Sequence, residues 1–186
     1  MKKKRTYKRR THNAYFTEPW TIDELLKEWH IGTVVLESAA GDGRMVKRLR
    51  QKKRRVYAVD IKDYGFRLHQ KISFMKMMEL PAGVTDIVTN PPYQRGLTEE
   101  FIRHALSFMR AGGVKTVAML LPTEWGNNSD GRRDLFDRNF ACKLELTRRI
   151  RFIDGTKKRP AKVHAWFIWD RDHTGQAYYK LQRSKS

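Results

Sequence analysis

Short apolar runs that each stop at residues unable to continue a strand set the tightest limit on how this chain folds. Thr33-Val34-Val35-Leu36 leads into Glu37-Ser38-Ala39-Ala40-Gly41-Asp42-Gly43, and Val56-Tyr57-Ala58-Val59 stops at Asp60. Asp86-Ile87-Val88-Thr89 gives way to Asn90-Pro91-Pro92-Tyr93, and the run 117–121 ends at Pro122. Runs of this length and texture suit strands buried on both faces. Helix-period segments lie between them. Met45, Val46 and Leu49 form the apolar side of a basic helix, and Phe101, Ile102, Ala105 and Leu106 recur across 99–109 before Gly112-Gly113. Upstream, Thr21-Ile22-Asp23-Glu24 has the form of a capping box with Thr21 as N-cap, followed by Leu25, Leu26 and Trp29 at helical spacing. Strands alternating with helices predict βαβ units, a mostly parallel sheet and helices on both faces. The final third differs: 144–153 and 163–169, separated by a basic loop, read as a strand pair at one edge.

Lys and Arg total 39 against 20 Asp and Glu, and the formal charge of +19 points to a polyanionic partner. With 186 residues there is room for one domain, and 40% hydrophobic content excludes a wholly disordered basic protein. Cys142 is the only cysteine, which excludes a disulfide framework or a Cys-based zinc site within one chain. Six scattered histidines give no ligand spacing, so no metal is expected. No apolar run reaches the roughly 18 residues of a membrane span, and the basic N-terminus is followed by no apolar stretch, so the sequence reads as cytoplasmic. The expected organisation is a flexible basic arm over 1–14, one domain over 15–171 and a basic tail over 172–186, with no separate target-recognition domain.

In an open α/β sheet, ligands sit outside the carboxyl ends of the strands. Three strand ends here carry unusual residues. Gly41 and Gly43 allow a sharp turn and close approach to a ligand, although such turns also serve packing alone, and Val46 stands where a full dinucleotide fingerprint has its third glycine. Asp60 is placed to accept both hydroxyls of a ribose; its bland reading is an exposed strand end. Pro91-Pro92 stiffens the chain, so the Asn90 side-chain oxygen and the Pro91 carbonyl can converge as fixed acceptors beside Tyr93; otherwise the turn merely ends a strand.

Taken together, Glu37 to Gly43, Asp60 and Asn90-Pro91-Pro92-Tyr93 resemble the class I S-adenosylmethionine (SAM)-dependent methyltransferases, in particular the N6-adenine group. Tyr15-Phe16-Thr17-Glu18-Pro19-Trp20 is similar to the motif that group carries ahead of its first strand. Asp60-Ile61-Lys62-Asp63-Tyr64-Gly65 and Trp166-Phe167-Ile168-Trp169-Asp170 resemble small phage and prophage adenine methyltransferases. The resemblance implies a Rossmann-like, seven-stranded sheet with an antiparallel last strand. It implies S-adenosyl-L-methionine as cofactor, held by Phe16, Thr17, Glu37, Ala39, Gly41, Gly43, Asp60, Ile61, Ser73, Phe74 and Asn90, with Asn90, Pro91, Pro92 and Tyr93 on the target amine. Ser73 stands where family members carry an acidic residue, and losing that charge-assisted bond weakens cofactor binding by about 1.5–3 kcal/mol.

The resemblance further implies methyl transfer to the N6 amino group of adenine in nucleic acid, DNA before RNA, in a bacterial or phage-infected cell. Lys2, Lys3, Lys4, Arg5, Lys8, Arg9, Arg10, Arg148, Arg149, Arg151, Lys157, Lys158 and Arg159 are the expected phosphate contacts. Lys52-Lys53-Arg54-Arg55 reads equally as a helix C-terminal cap or a nucleic-acid contact, and Trp125-Gly126-Asn127-Asn128 as a surface turn or part of a target pocket. With no recognition domain, short or relaxed sequence preference, or a targeting partner, is expected. The rival functions are methylation of RNA, methylation of a protein glutamine amide, and nucleic-acid binding without catalysis.

Overall fold

The computed structural model describes residues 16–127, 130–136, 139–152 and 162–182. Tyr15, the basic arm (Lys2, Lys3, Lys4, Arg5, Lys8, Arg9 and Arg10) and the loop residues Lys157, Lys158 and Arg159 lie outside them. Among the described residues, eight strands form one sheet: β1 (Val34–Glu37), β2 (Arg55–Asp60), β3 (Gln70–Lys71), β4 (Asp86–Thr89), β5 (Thr116–Pro122), β6 (Phe140–Glu145), β7 (His164–Asp170) and β8 (Tyr178–Leu181). Their spatial order is β3-β2-β1-β4-β5-β7-β6-β8. Every pairing is parallel except those of β7, which runs antiparallel to both β5 and β6.

Alternation along the strands separates two apolar layers. Val35, Ala58, Val88, Ala118 and Leu120 face the side covered by helices α1 (Trp20–Glu28) and α2 (Arg44–Gln51). Leu36, Val59, Ile87, Val117 and Met119 face the side covered by α3 (Leu97–Arg110). All seven residues of both β5 and β7 are buried. This is the burial that continuous apolar runs require of central strands. The α/β class and helices on both faces therefore agree with the sequence reading.

Four details differ. The sheet has an eighth strand, β8, inside the stretch 172–186 that reads as a basic tail; its Tyr178, Tyr179 and Leu181 are exposed, so no burial period marks it in the sequence. The strand expected over 144–153 is β6, which starts at Phe140 and ends at Glu145. Leu146 and Ile150 are fully buried beyond the end of the strand, which is why the apolar pattern overruns it. The β6–β7 pair is interior, with β7 between β5 and β6 and β8 outermost. Finally, Thr21 is not the N-cap of α1. Pro19 occupies that position, and the buried Thr21 hydroxyl donates to the Glu18 carbonyl at 2.9 Å. The Trp166 indole N–H of β7 donates to the Thr21 carbonyl at 2.9 Å and pins the helix start to the sheet.

Candidate active site

Strands β1, β2 and β4 end on one rim, where a cleft of about 210 Å³ opens. Each strand end contributes for a different local reason. After β1 the chain turns through Gly41 (φ +55°) and Gly43 (φ +78°), a region that L side chains rarely enter. The Gly41 amide donates to Asp60 Oδ2 at 2.8 Å, and the Lys62 amide donates to Asp60 Oδ1 at 3.0 Å. The Asp60 carboxylate thus joins the ends of β1 and β2, and it lines the cleft beside Ala39, Gly41 and Ile61.

Behind this wall, the Thr89 hydroxyl donates to Glu37 Oε1 at 2.6 Å and the Ala39 amide donates to the same oxygen at 3.1 Å. Glu37 is 1% exposed, and its Oε2 has no hydrogen-bond partner among the described residues. Burial pushes this carboxyl up to about 8; the two donated bonds oppose the shift and the charge of Asp60 adds to it. At neutral pH Glu37 is therefore largely a neutral acid bridging the ends of β1 and β4.

Asn90, Pro91 and Pro92 follow β4 directly and line the same cleft. Asn90 is 9% exposed, and its Nδ2 donates to the Thr17 hydroxyl oxygen at 2.9 Å. Phe16 lies on the wall, its ring 3.3 Å from where a Cβ on Gly41 would stand and edge-on to Tyr64 at 5.6 Å. Ser73 and Phe74 also line the cleft. Phe74 is 2% exposed and packed 4.7 Å from both Phe101 and His104, so its ring is built into the wall.

Phe16, Ala39, Gly41, Asp60, Ile61, Ser73, Phe74 and Asn90 are thus brought together on one surface. Thr17, Glu37 and Gly43 stand behind it. Gly43 serves packing as the N-cap residue of α2: a Cβ there would meet the Phe66 ring at 2.2 Å. Tyr93 also lies behind the wall. Its hydroxyl donates to the Leu120 carbonyl at 2.9 Å, and its ring stacks 5.8 Å from His164, with Phe152 edge-on at 6.4 Å. Burial holds the His164 imidazole down at about 4, so it is neutral.

Sequence reasoning missed Tyr64, Met75, Leu97 and Phe101 on the cleft wall. Leu97 and Phe101 are four residues apart in the first turns of α3, which places them on one face. That spacing, directly after the Asn-Pro-Pro-Tyr turn, is the signal that marks them.

Arg148, Arg149 and Arg151 are exposed, and the Arg151 amide donates to Glu18 Oε2 at 2.9 Å, beside Thr17. The Arg148 guanidinium lies 5.0 Å from the Trp20 ring centroid. This segment therefore flanks the rim. Trp125 does not line the cleft; it packs 5.9 Å from Phe136 and Phe167 under the Arg132 guanidinium, and Asn128 lies outside the described residues. Cys142 is buried in the sheet, and burial pushes its thiol up to about 11, which leaves it no nucleophilic role. Among the described residues no cluster of His, Cys, Asp or Glu is arranged to hold a metal ion, and no helix is long and apolar enough to cross a membrane.

No family model and no curated protein matches the sequence. The likeness to solved structures is clear. A chain of the type I R-M system aligns over 95% of this chain and 46% of its own length, with TM-score 0.57 and 15% identity. This chain thus spans less than half of that one. Magnesium protoporphyrin IX methyltransferase (ChlM) from Synechocystis PCC 6803, solved with bound SAM, gives TM-score 0.53 at 16% identity, covering 83% of this chain and 79% of its own. A human methyltransferase 10 domain containing protein gives 0.51 at 11% identity, covering 82% and 80%. At these identities the likeness is one of fold, and by its sheet order and its solved neighbours this chain has the Rossmann-like fold of the methyltransferases.

Proposed function

We propose that this chain is a SAM-dependent methyltransferase acting on the N6 amino group of adenine in nucleic acid, with DNA favoured and short or relaxed sequence preference. One observation carries the reading. Asn90, Pro91 and Pro92 share a single cleft with Gly41 and Asp60, so acceptors for an amino group adjoin residues suited to a nucleoside. The donor set fits the cofactor. Asp60 offers carboxylate oxygens to ribose hydroxyls, the glycine turn permits close backbone approach, and Phe74, Met75, Leu97 and Phe101 supply an apolar slot for a purine. When bound, SAM supplies an electrophilic methyl group on a sulfonium.

The remaining chemistry belongs to the chain. The amino nitrogen of adenine is a weak nucleophile because its lone pair is delocalised into the ring. Asn90 Oδ1 and the Pro91 carbonyl accept its two hydrogens and favour a pyramidal nitrogen, with the lone pair exposed for in-line attack. Thr17 and the two prolines hold these acceptors in place, and they stabilise charge developing on nitrogen once the base reaches Asn90 Oδ1, which is buried in this structure. In a duplex the base must leave the stack at a cost of a few kcal/mol. The Tyr93 ring offsets about 1–3 kcal/mol of this if it swings onto the base, and Arg148, Arg149 and Arg151 contribute salt-dependent phosphate contacts.

The deciding experiment is mass spectrometry of nucleosides from DNA and RNA incubated with protein and SAM. N6-methyladenine formed by the wild type and lost in Asn90→Ala, with nucleic-acid binding retained, is the expected outcome. Methyl transfer at wild-type rate in the variant refutes the role given to Asn90. Incorporation into RNA alone moves the substrate to RNA. SAM binding absent by calorimetry leaves a nucleic-acid-binding protein, and Ser73 in the usual acidic place is the residue that favours that outcome.

A further inference from the structure

The edge of the sheet formed by β2 and β3 carries a second concentration of charge, which the methyl-transfer rim does not use. Arg50 at the end of α2, Arg55 at the start of β2, and Arg67 and Lys71 around β3 are all exposed. None of the four forms an ion pair with a described carboxylate. The contrast with their neighbours is sharp, since Arg48 and Lys52 both pair with Asp23, at 2.8 and 3.2 Å. The arginines without ion pairs meet neutral groups: Arg50 donates to the Val56 carbonyl at 3.1 Å, and Arg55 donates to the Tyr57 hydroxyl at 2.6 Å with its guanidinium 5.1 Å from the Tyr57 ring centroid.

These cations surround one ring. The His69 imidazole is held below its ordinary value, first by burial and then by the charges of Arg50, Arg67 and Arg55. The Ala58 amide donates to His69 Nδ1 at 3.0 Å, so the neutral ring carries its proton on Nε2. Next to it lies a groove of about 420 Å³, walled by Tyr57, His69, Gln70, Met77, Glu79 and Leu80. The Tyr57 and His69 rings stand 5.3 Å apart in it, tilted by 56°. Guanidiniums without counter-charges suit phosphate oxygens, which they meet with paired, planar N–H groups. A groove with aromatic walls and a few polar groups beside such a cluster suits an unstacked base.

We propose that this edge is a second nucleic-acid contact, in which Arg55, Arg67 and Arg50 hold phosphates of a single strand and the Tyr57–His69 groove takes one of its bases. The proposal rests on the nucleic-acid part of the function above, and it holds whether or not methyl transfer targets adenine. Charge complementarity selects the occupant. The chain carries +19 overall, and among the described residues no carboxylate pairs with these guanidiniums, although Glu79 lies on the groove wall.

The test compares wild type with Arg55→Gln/Arg67→Gln, which leaves Arg50 and its bond to β2 intact, by fluorescence anisotropy on a labelled single strand across a salt series. The expected result is a log–log salt slope shallower by about 1.4, the share of two phosphate contacts on a single strand, and an affinity lower by about ten-fold or more at 0.1 M salt. Tyr57→Leu/His69→Gln is expected to weaken single-strand binding while leaving duplex binding unchanged. Circular dichroism melts and calorimetry with SAM on the same variants separate misfolding, and failure of the cofactor reading, from loss of this contact. Should either pair fail to fold, the single variant Arg67→Gln, whose side chain has no described bond, is expected to lower the slope by about 0.7. An unchanged slope in a folded variant overturns the proposal. So does an equal loss of binding to phosphatidylserine vesicles with no loss on nucleic acid, which would assign the edge to a membrane surface.

Discussion

Asn90 Nδ2 donates to the Thr17 hydroxyl oxygen over 2.9 Å, joining the turn after β4 to a residue 73 positions earlier in the chain. The bond orients the amide, so that its oxygen is the end turned away from Thr17. The segment ahead of α1 is thereby a brace for the Asn-Pro-Pro-Tyr turn as well as a wall of the cleft.

Thr17→Val keeps the shape of this brace and removes its acceptor. Removing this bond from a buried amide costs about 1–3 kcal/mol and loosens the orientation that Thr17 gives it. Methyl transfer is expected to fall ten-fold or more, with Thr17→Ser restoring most of it. Steady-state kinetics beside a thermal melt check this; equal kcat for Thr17→Val and wild type would remove the positioning role.

Asp60 accepts from the Gly41 and Lys62 amides on the cleft wall. Asp60→Ala removes these bonds together with the carboxylate proposed for the ribose. SAM affinity is expected to drop about ten- to a hundred-fold, equivalent to about 1.4–2.8 kcal/mol. Titration calorimetry measures it directly, and an unaltered Kd contradicts the assignment.

Glu37 makes stability depend on pH with a definite sign. Its folded value of about 8 lies above the ordinary 4.5, so between these values the folded state holds more proton than the unfolded one. The stability it contributes is fully present below pH 4.5 and is lost as pH rises through about 8. Glu37→Gln removes the titration and keeps an acceptor for Thr89 and Ala39. The melting temperature of the variant relative to wild type is expected to climb as pH rises from 4.5 to about 8 and to level off above that. A pH-independent difference would show that Glu37 is ionised in the folded protein.

Gly43 is a packing residue, and its replacement tests the fold apart from the chemistry. Gly43→Ala places a Cβ 2.2 Å from the Phe66 ring at φ +78°. The left-handed backbone alone costs about 1–2 kcal/mol, and the clash adds to it. Urea melts are expected to show the loss, with Phe66→Leu in the Gly43→Ala background recovering the part due to the ring.

The strands after which the cleft forms were legible because each is a short apolar run ended by a residue with a reason to end it. Gly41, Asp60 and Asn90-Pro91-Pro92 were legible for the same reason, since in a parallel sheet strand ends fall on one rim. The edges were not. β8 pairs through its backbone with Tyr178, Tyr179 and Leu181 exposed, and β6 is followed by buried residues beyond its end, so periodicity misjudged both.

What the sequence alone determined is the layered sheet, its two apolar faces and the residues at its carboxyl rim, because burial and chain-breaking act on neighbours along the chain. Only the tertiary structure decided which of those rim residues face the cleft and which brace it from behind. Thr17 meets Asn90, Thr89 meets Glu37, and Tyr93 turns its hydroxyl to Leu120 across 73, 52 and 27 positions. Hydrogen bonds of that span depend on how the strands are ordered in space, and no local pattern encodes them.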